Sequence, residues 1–148
     1  MDERIKEHLK YLNKYYLLLL DAGKIQHDVF IQDDVLQASS ERFLQLAIES
    51  CLNIGNRLIS LYQFEKPVKT PETYADIFKE LKSLGVVDDE FSDHLMKMAR
   101  FRNRLVHLYW EIDKEAVYEF VQKDLNDFKR FQKDVVAFLN KNKLPDLE

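Results

Sequence analysis

Three glycines and three prolines in 148 residues leave this chain few places to turn, and apolar side chains recur at steps of three and four along nearly all of it. That period belongs to amphipathic helices and not to strands, so the sequence predicts an all-α fold. A first helix spans about residues 2–21, with Ile5, Leu9, Leu12, Tyr16 and Leu19 on one stripe and Gly23 as its stop. After a loop, Asp33 or Asp34 caps a second helix that runs to about Phe64, with Phe43, Ala47, Ile54, Leu58 and Leu61 facing inward and Pro67 beyond its end. Thr70 as cap and Pro71 at the first helical position open a short third helix, in which Tyr74, Ile77, Phe78, Leu81 and Leu84 pack before Gly85. A fourth helix runs from Asp88 or Asp89 to about Tyr109. Asp113 caps a last helix of roughly 27 residues, with Val117, Val121, Leu125, Phe128, Val135 and Leu139 inward, and the end from Lys141 to Glu148 frays. Four long helices, one short one and brief connections make an antiparallel bundle the economical packing. No repeat or linker divides the chain, so residues 1–148 read as one domain.

Composition narrows the function classes. A single cysteine, Cys51, excludes an internal disulfide and a thiolate metal site within one chain and fits the cytosol; it lies among Ile48, Leu52 and Ile54 as a buried, inert thiol. The N-terminus lacks the basic-then-apolar order of a secretion signal, and the longest apolar run, Tyr15 to Leu20, is too short for a bilayer span, so a soluble, cytoplasmic protein without membrane contact is expected. That run is also more apolar than one core stripe uses, so part of it is available for contact between subunits. The net charge of −4 argues against a general DNA binder and confines any nucleic-acid contact to a small patch. No Gly-rich phosphate loop, nucleophile elbow or Cys-x-x-Cys pair occurs, and no cofactor or metal is expected. The Asp33-Asp34 and Asp88-Asp89 pairs read as helix starts and not as metal ligands.

One such patch exists. From His94 through Trp110 there is no acidic residue, while Lys97, Arg100, Arg102 and Arg104 give +4, leaving −8 for the rest of the chain. Arginine forks on an acidic body suit an anion, and phosphate is the commonest. Arg102 interrupts the apolar stripe Phe91, Leu95, Met98, Leu105, Tyr109. At about 100° per residue, Arg102 and Tyr109 stand roughly 20° apart around the axis, and Asn103 and His107 roughly 40° apart. Two readings are open: an arginine paired with a carboxylate of another helix beside a histidine satisfied by a carbonyl, or a ligand cleft. The company of an arginine, an amide, an imidazole and a phenol within eight positions favours the cleft, because together they bind anions, hydrogen-bond and move protons.

The spacing Arg102, four residues, His107, one residue, Tyr109 resembles the Arg-x-x-x-x-His-x-Tyr signature of the HEPN superfamily, in particular its HepT-like toxin branch. The segment F-L-Q-L-A-I-E-S-C-L-N-I-G-N-R-L-I from Phe43, the Thr70-Pro71…Tyr74 helix start and M-A-R-F-R-N-R-L-V-H from Met98 are similar to that branch in the same order. The resemblance implies a HEPN-like bundle that dimerises through the motif helices. It implies either a metal-independent endoribonuclease toxin of a toxin-antitoxin pair, or a non-catalytic bundle that binds nucleotide or presents substrate to a nucleotidyltransferase. It further implies that Tyr109 receives AMP from a cognate nucleotidyltransferase antitoxin.

RNA cleavage without metal needs a base for the 2′-OH, an acid for the departing 5′-oxygen and cations around the phosphorane. One chain offers one well-placed imidazole, so a homodimer with facing motif helices pairs two His107 and two Arg102 in one cleft, with RNA as substrate. In that arrangement Arg102 and His107 are catalytic, Asn103 orients substrate or His107, Arg104 adds field at the rim, and Tyr109 either contacts the ligand or packs at the helix end with its hydroxyl on a carbonyl. His8, His27 and His94 have no arginine neighbours and read as surface or interface residues, and Trp110 as filler of the core or the dimer seam.

Overall fold

The computed structural model describes residues 1–107 and 113–144. Among these residues the chain forms seven helices and no strand: α1 (Glu3–Ala22), α2 (His27–Gln32), α3 (Asp34–Tyr62), α4 (Tyr74–Leu84), α5 (Asp89–His107), α6 (Lys114–Lys123) and α7 (Asn126–Lys141). The all-α expectation holds. Helix α3 is the spine: it packs along α1, is crossed by α4 and α5, and meets α6 and α7 as well, while α4 and α5 pair with each other. None of the described helices is long and apolar enough to cross a membrane.

Most of the expected stripe residues enter the core, joined by Leu44, Ile48 and Phe131, while Leu9, Phe43, Leu61 and Leu139 are only partly buried. Ile5, Leu12 and Leu19 of α1, Leu44, Ile48, Ile54 and Leu58 of α3, Phe78 and Leu81 of α4, Phe91 and Leu95 of α5, and Phe128, Phe131 and Val135 of α7 are inaccessible to solvent. Cys51 is sealed with them, and burial pushes its thiol well above the ordinary range. The run Tyr15 to Leu20 divides: Tyr16 and Leu19 are buried, whereas Leu17, Leu18 and Leu20 face solvent. Both Asp pairs mark helix starts, since Asp33 accepts from Leu36 N at 2.9 Å and Asp88 from Phe91 N at 2.8 Å. Asp2 caps α1 and also receives Arg57 Nη2 at 2.8 Å, which ties the N-terminus to α3 and holds the Asp2 carboxyl below its ordinary range.

Three boundaries differ from the sequence expectation. The first loop contains α2, which buries Phe30 and is held by the buried Gln37, whose amide donates to Phe30 O at 2.9 Å. A six-residue helix spans too few turns to show a period, so tertiary contact decides it. Helix α4 begins after Thr73, not after Thr70. Thr73 and Asp76 form a reciprocal capping box, and Asp76 also accepts from Glu72 N at 3.1 Å, satisfying more of the free N–H groups than Thr70 could. Tyr74, assigned to the core by its spacing, is consequently exposed at the helix start. Last, the expected long C-terminal helix is two helices. Between α6 and α7 the N–H groups of Asp127 and Phe128 bond three residues back, to Asp124 and Leu125. The bend keeps Phe120 and Phe128 in contact at 5.9 Å between ring centroids. Asp124, Asn126 and Asp127 are poor helix formers whose short side chains compete for backbone partners, so the helix yields there.

Candidate functional site at the α3, α4 and α5 junction

Helix α5 carries the polar constellation, and α3 and α4 supply its surroundings. Arg102 projects toward α3, where Glu49 Oε1 accepts from Nη2 at 2.6 Å and from Nε at 3.2 Å. The pair is mostly enclosed, with the arginine side chain 13% and the carboxylate 28% exposed. The guanidinium carbon also lies 4.8 Å from the centroid of the Tyr74 ring, and Nη1 reaches Asn103 Oδ1 at 3.4 Å. Glu49 is steadied in turn by Gln45 Nε2 at 3.1 Å. Arg102 is thus fixed on three sides: a carboxylate takes two N–H groups, an aromatic face supports the plane, and an amide oxygen meets the remaining edge. Of the two openings left by the sequence, the carboxylate partner is realised for Arg102.

Asn103 and His107 lie one turn apart on the adjoining side of α5 and open together into a cleft of about 550 Å³. Its other walls are Asn56 of α3, the approach to α4 from Pro71 to Thr73, and Tyr74 and Ile77 of α4. Gly55 makes this junction possible. A Cβ there would stand 2.5 Å from Ile77 Cγ2, so only a residue without a side chain lets α3 and α4 come this close. His107 is exposed, and Arg102 sits at the cleft margin through its contacts with Asn103 and Tyr74.

Arg104 does not join this group. It points to another side of α5, exposed, with its guanidinium 5.3 Å from the Phe101 ring. There it borders a second cleft of about 340 Å³ with His94, Lys97, Phe120, Asp124 and Asp127, where burial raises both aspartate carboxyls above their usual range. His27, expected at the surface or an interface, is exposed and bonds Glu115 of α6 at 2.7 Å. Tyr109 and Trp110 lie outside the described residues.

Sequence reasoning missed Glu49, Asn56 and Tyr74 as members of the site. Glu49 left little trace, since Gln45 and Asn53, one turn away on its own side of α3, are polar too. Asn56 left none, because an exposed asparagine on a helix looks like any solvated position.

A family model described as ribonuclease HepT-like matches residues 3–135. The mRNA nuclease HepT of Shewanella oneidensis is 29% identical over 127 residues, covering 86% of each chain. The tRNA nuclease HepT of Aphanizomenon flos-aquae is 23% identical over 137 residues, covering 91% of this chain and 89% of the relative. Among solved structures, the tri-AMPylated HEPN toxin of Shewanella oneidensis in complex with its MNT antitoxin superposes with a TM-score of 0.82 at 28% identity, covering 93% of this chain and 99% of that one. With the fold, the motif helix and nearly the whole length matched, this chain belongs to the HepT-like family of the HEPN superfamily.

Proposed function

We propose that the protein is a metal-independent endoribonuclease, the toxin of a toxin-antitoxin pair, and that two copies build its active site across a two-fold axis. The observation that carries this reading is the cleft shared by Asn103 and His107, with the guanidinium of Arg102 held rigidly at its margin. Related chains named as mRNA and tRNA nucleases support RNA as the substrate class. In the reaction, one neutral His107 takes the proton of a ribose 2′-OH as that oxygen attacks the neighbouring phosphorus. The P–O5′ bond breaks, the charged His107 of the second copy protonates the leaving oxygen, and a 2′,3′-cyclic phosphate and a 5′-hydroxyl result. Arg102 stabilises the phosphorane charge. Glu49 occupies Nε and one donor of Nη2, so hydrogens on Nη1 and Nη2 stay available for phosphate oxygens. A preset guanidinium needs no reorganisation when charge develops, which is where such groups act best.

Tyr109 is the acceptor of AMP from a cognate nucleotidyltransferase antitoxin. Support comes from the related toxin that is tri-AMPylated in complex with its antitoxin. A phosphate attached two residues past His107 in the chain adds negative charge and bulk to a segment that the reading assigns to RNA binding, and so opposes an RNA phosphate.

The pairing of Arg102 with Glu49 inside one chain favours a second reading, nucleotide binding or substrate presentation without cleavage, because the carboxylate offsets part of the charge that would stabilise a phosphorane. Purified His107→Ala and Arg102→Ala separate the two. Loss of RNA cleavage in both with the fold intact supports the nuclease. If His107→Ala cuts RNA as fast as the parent, the nuclease assignment fails, and if only Arg102→Ala loses nucleotide binding the second reading stands.

A further inference from the structure

We infer that the cleft between α3, α4 and α5 is a nucleobase subsite, in which the side-chain amides of Asn56 and Asn103 read the edge of the base next to the scissile phosphate. The inference rests on the proposed ribonuclease reading and adds a specificity determinant to it. Three features of the cleft point to a neutral, flat, hydrogen-bonding group and not to a second phosphate.

The first is charge. Among its described lining residues the cleft has no lysine or arginine, and the carboxylate of Glu72 stands at its edge. Away from Arg102 at the margin, a second phosphate finds no lysine or arginine to offset its charge, whereas an uncharged base needs none. The second is donor and acceptor chemistry. Asn103 Oδ1 is engaged by Arg102, which leaves its NH₂ group as the donor to be used, and the exposed Asn56 offers both a carbonyl and an NH₂. Amides that present a donor beside an acceptor match the edges of bases in unpaired RNA. The third is shape. Ile77 gives an apolar floor, and Pro71 and the half-exposed Tyr74 are side walls whose apolar surface a base can pack against. At about 550 Å³ the space is within the range of ordinary small-ligand sites.

Position links the subsite to the chemistry. Asn103 and His107 belong to one turn of α5 and border the same space, so a base seated against Asn103 and Asn56 places its ribose next to the imidazole. Asn103 then acts twice: its oxygen aligns Arg102 and its NH₂ group contacts the base.

The test uses single-stranded RNA oligonucleotides that differ only in the base at either side of one cut site, with kcat and KM measured for each. The parent is expected to prefer one base, and Asn56→Ala to reduce that preference by roughly 5- to 100-fold, the discrimination of one good amide–base pair. Asn56→Asp, which replaces a donor by an acceptor, is expected to shift the preference to a different base, and Ser60→Ala, one turn further along α3, to leave it unchanged. Asn56 is exposed, so both of its variants are expected to keep the parent's thermal unfolding. A parent with no base preference, or an Asn56→Ala variant with the parent's preference, overturns the inference while the ribonuclease reading survives. If the parent cuts no RNA, the ribonuclease reading fails, and titration with AMP, CMP, GMP and UMP decides the subsite by NMR of the asparagine side-chain amides. Base-dependent shifts of Asn56 support it, and unshifted resonances reject it.

Discussion

Replacing Gly55 by alanine should destabilise the protein even though alanine is the better helix former, and the sign should reverse once Ile77 is shortened. The new Cβ lies 2.5 Å from Ile77 Cγ2 and 3.3 Å from Leu81 Cδ1. Carbon atoms prefer about 3.5–4.0 Å, so the first contact overlaps by about 1 Å, and Cγ2 of a β-branched residue has no flexible stem on which to retreat. Overpacking of this kind costs about 1–3 kcal/mol, and an overlap this deep belongs near the top of that range. Removing a mid-helix glycine returns about 1 kcal/mol. The net loss is about 2 kcal/mol, seen as a thermal midpoint lower by roughly 4–8 °C in a chain of this size. In an Ile77→Ala background the clash is gone and the same change should stabilise by up to about 1 kcal/mol. Urea unfolding followed by circular dichroism gives the four free energies of the cycle, with a coupling of about 3 kcal/mol expected. Should Gly55→Ala be neutral or stabilising in the parent, the close approach of α3 and α4, and with it the floor of the cleft, is wrong.

Glu49→Ala leaves the partly enclosed Arg102 without the acceptor of two N–H groups and should cost about 1–2 kcal/mol in urea unfolding, while Glu49→Gln keeps a carbonyl acceptor and should cost less than half of that. Equal losses in the two variants would mean that the hydrogen bonds do not hold the guanidinium. His27 is bonded to Glu115 and flanked by Asp28, and these carboxylates raise its imidazole above the ordinary value of 6.5. A raised value means that the folded state binds the proton more tightly. The stabilisation is therefore complete below about pH 6.5 and disappears as pH rises through the higher folded value. His27→Gln should flatten this part of the stability profile, and an unchanged slope between about pH 6 and pH 8 counts against the link between α2 and α6.

The long helices were legible because their cause is local. The stripe Ile5, Leu9, Leu12, Tyr16, Leu19 repeats every three or four residues, Asp33, Asp88 and Asp113 supply side-chain oxygens to free N–H groups, and Gly85 adopts the left-handed turn that ends α4. The polar residues of α5 were legible for the same reason, since angular spacing on one helix puts Asn103 and His107 together. Boundaries set by competition were not. Thr70 and Thr73 both look like caps, and the choice falls to Thr73 because Asp76 answers it across one turn. The break between α6 and α7 has no glycine or proline to announce it.

By itself, the sequence determined an all-helical chain with Arg100, Arg102, Asn103, Arg104 and His107 gathered on one helix, because helical period and capping are short-range. Only the tertiary structure decided what surrounds them. Glu49 meets Arg102 across 53 positions, and Asn56, Tyr74 and Asn103 share a cleft because Gly55 lets two helices touch. Such contacts follow from how packed faces settle against one another, and the free energy that selects them belongs to the whole core and to no single segment.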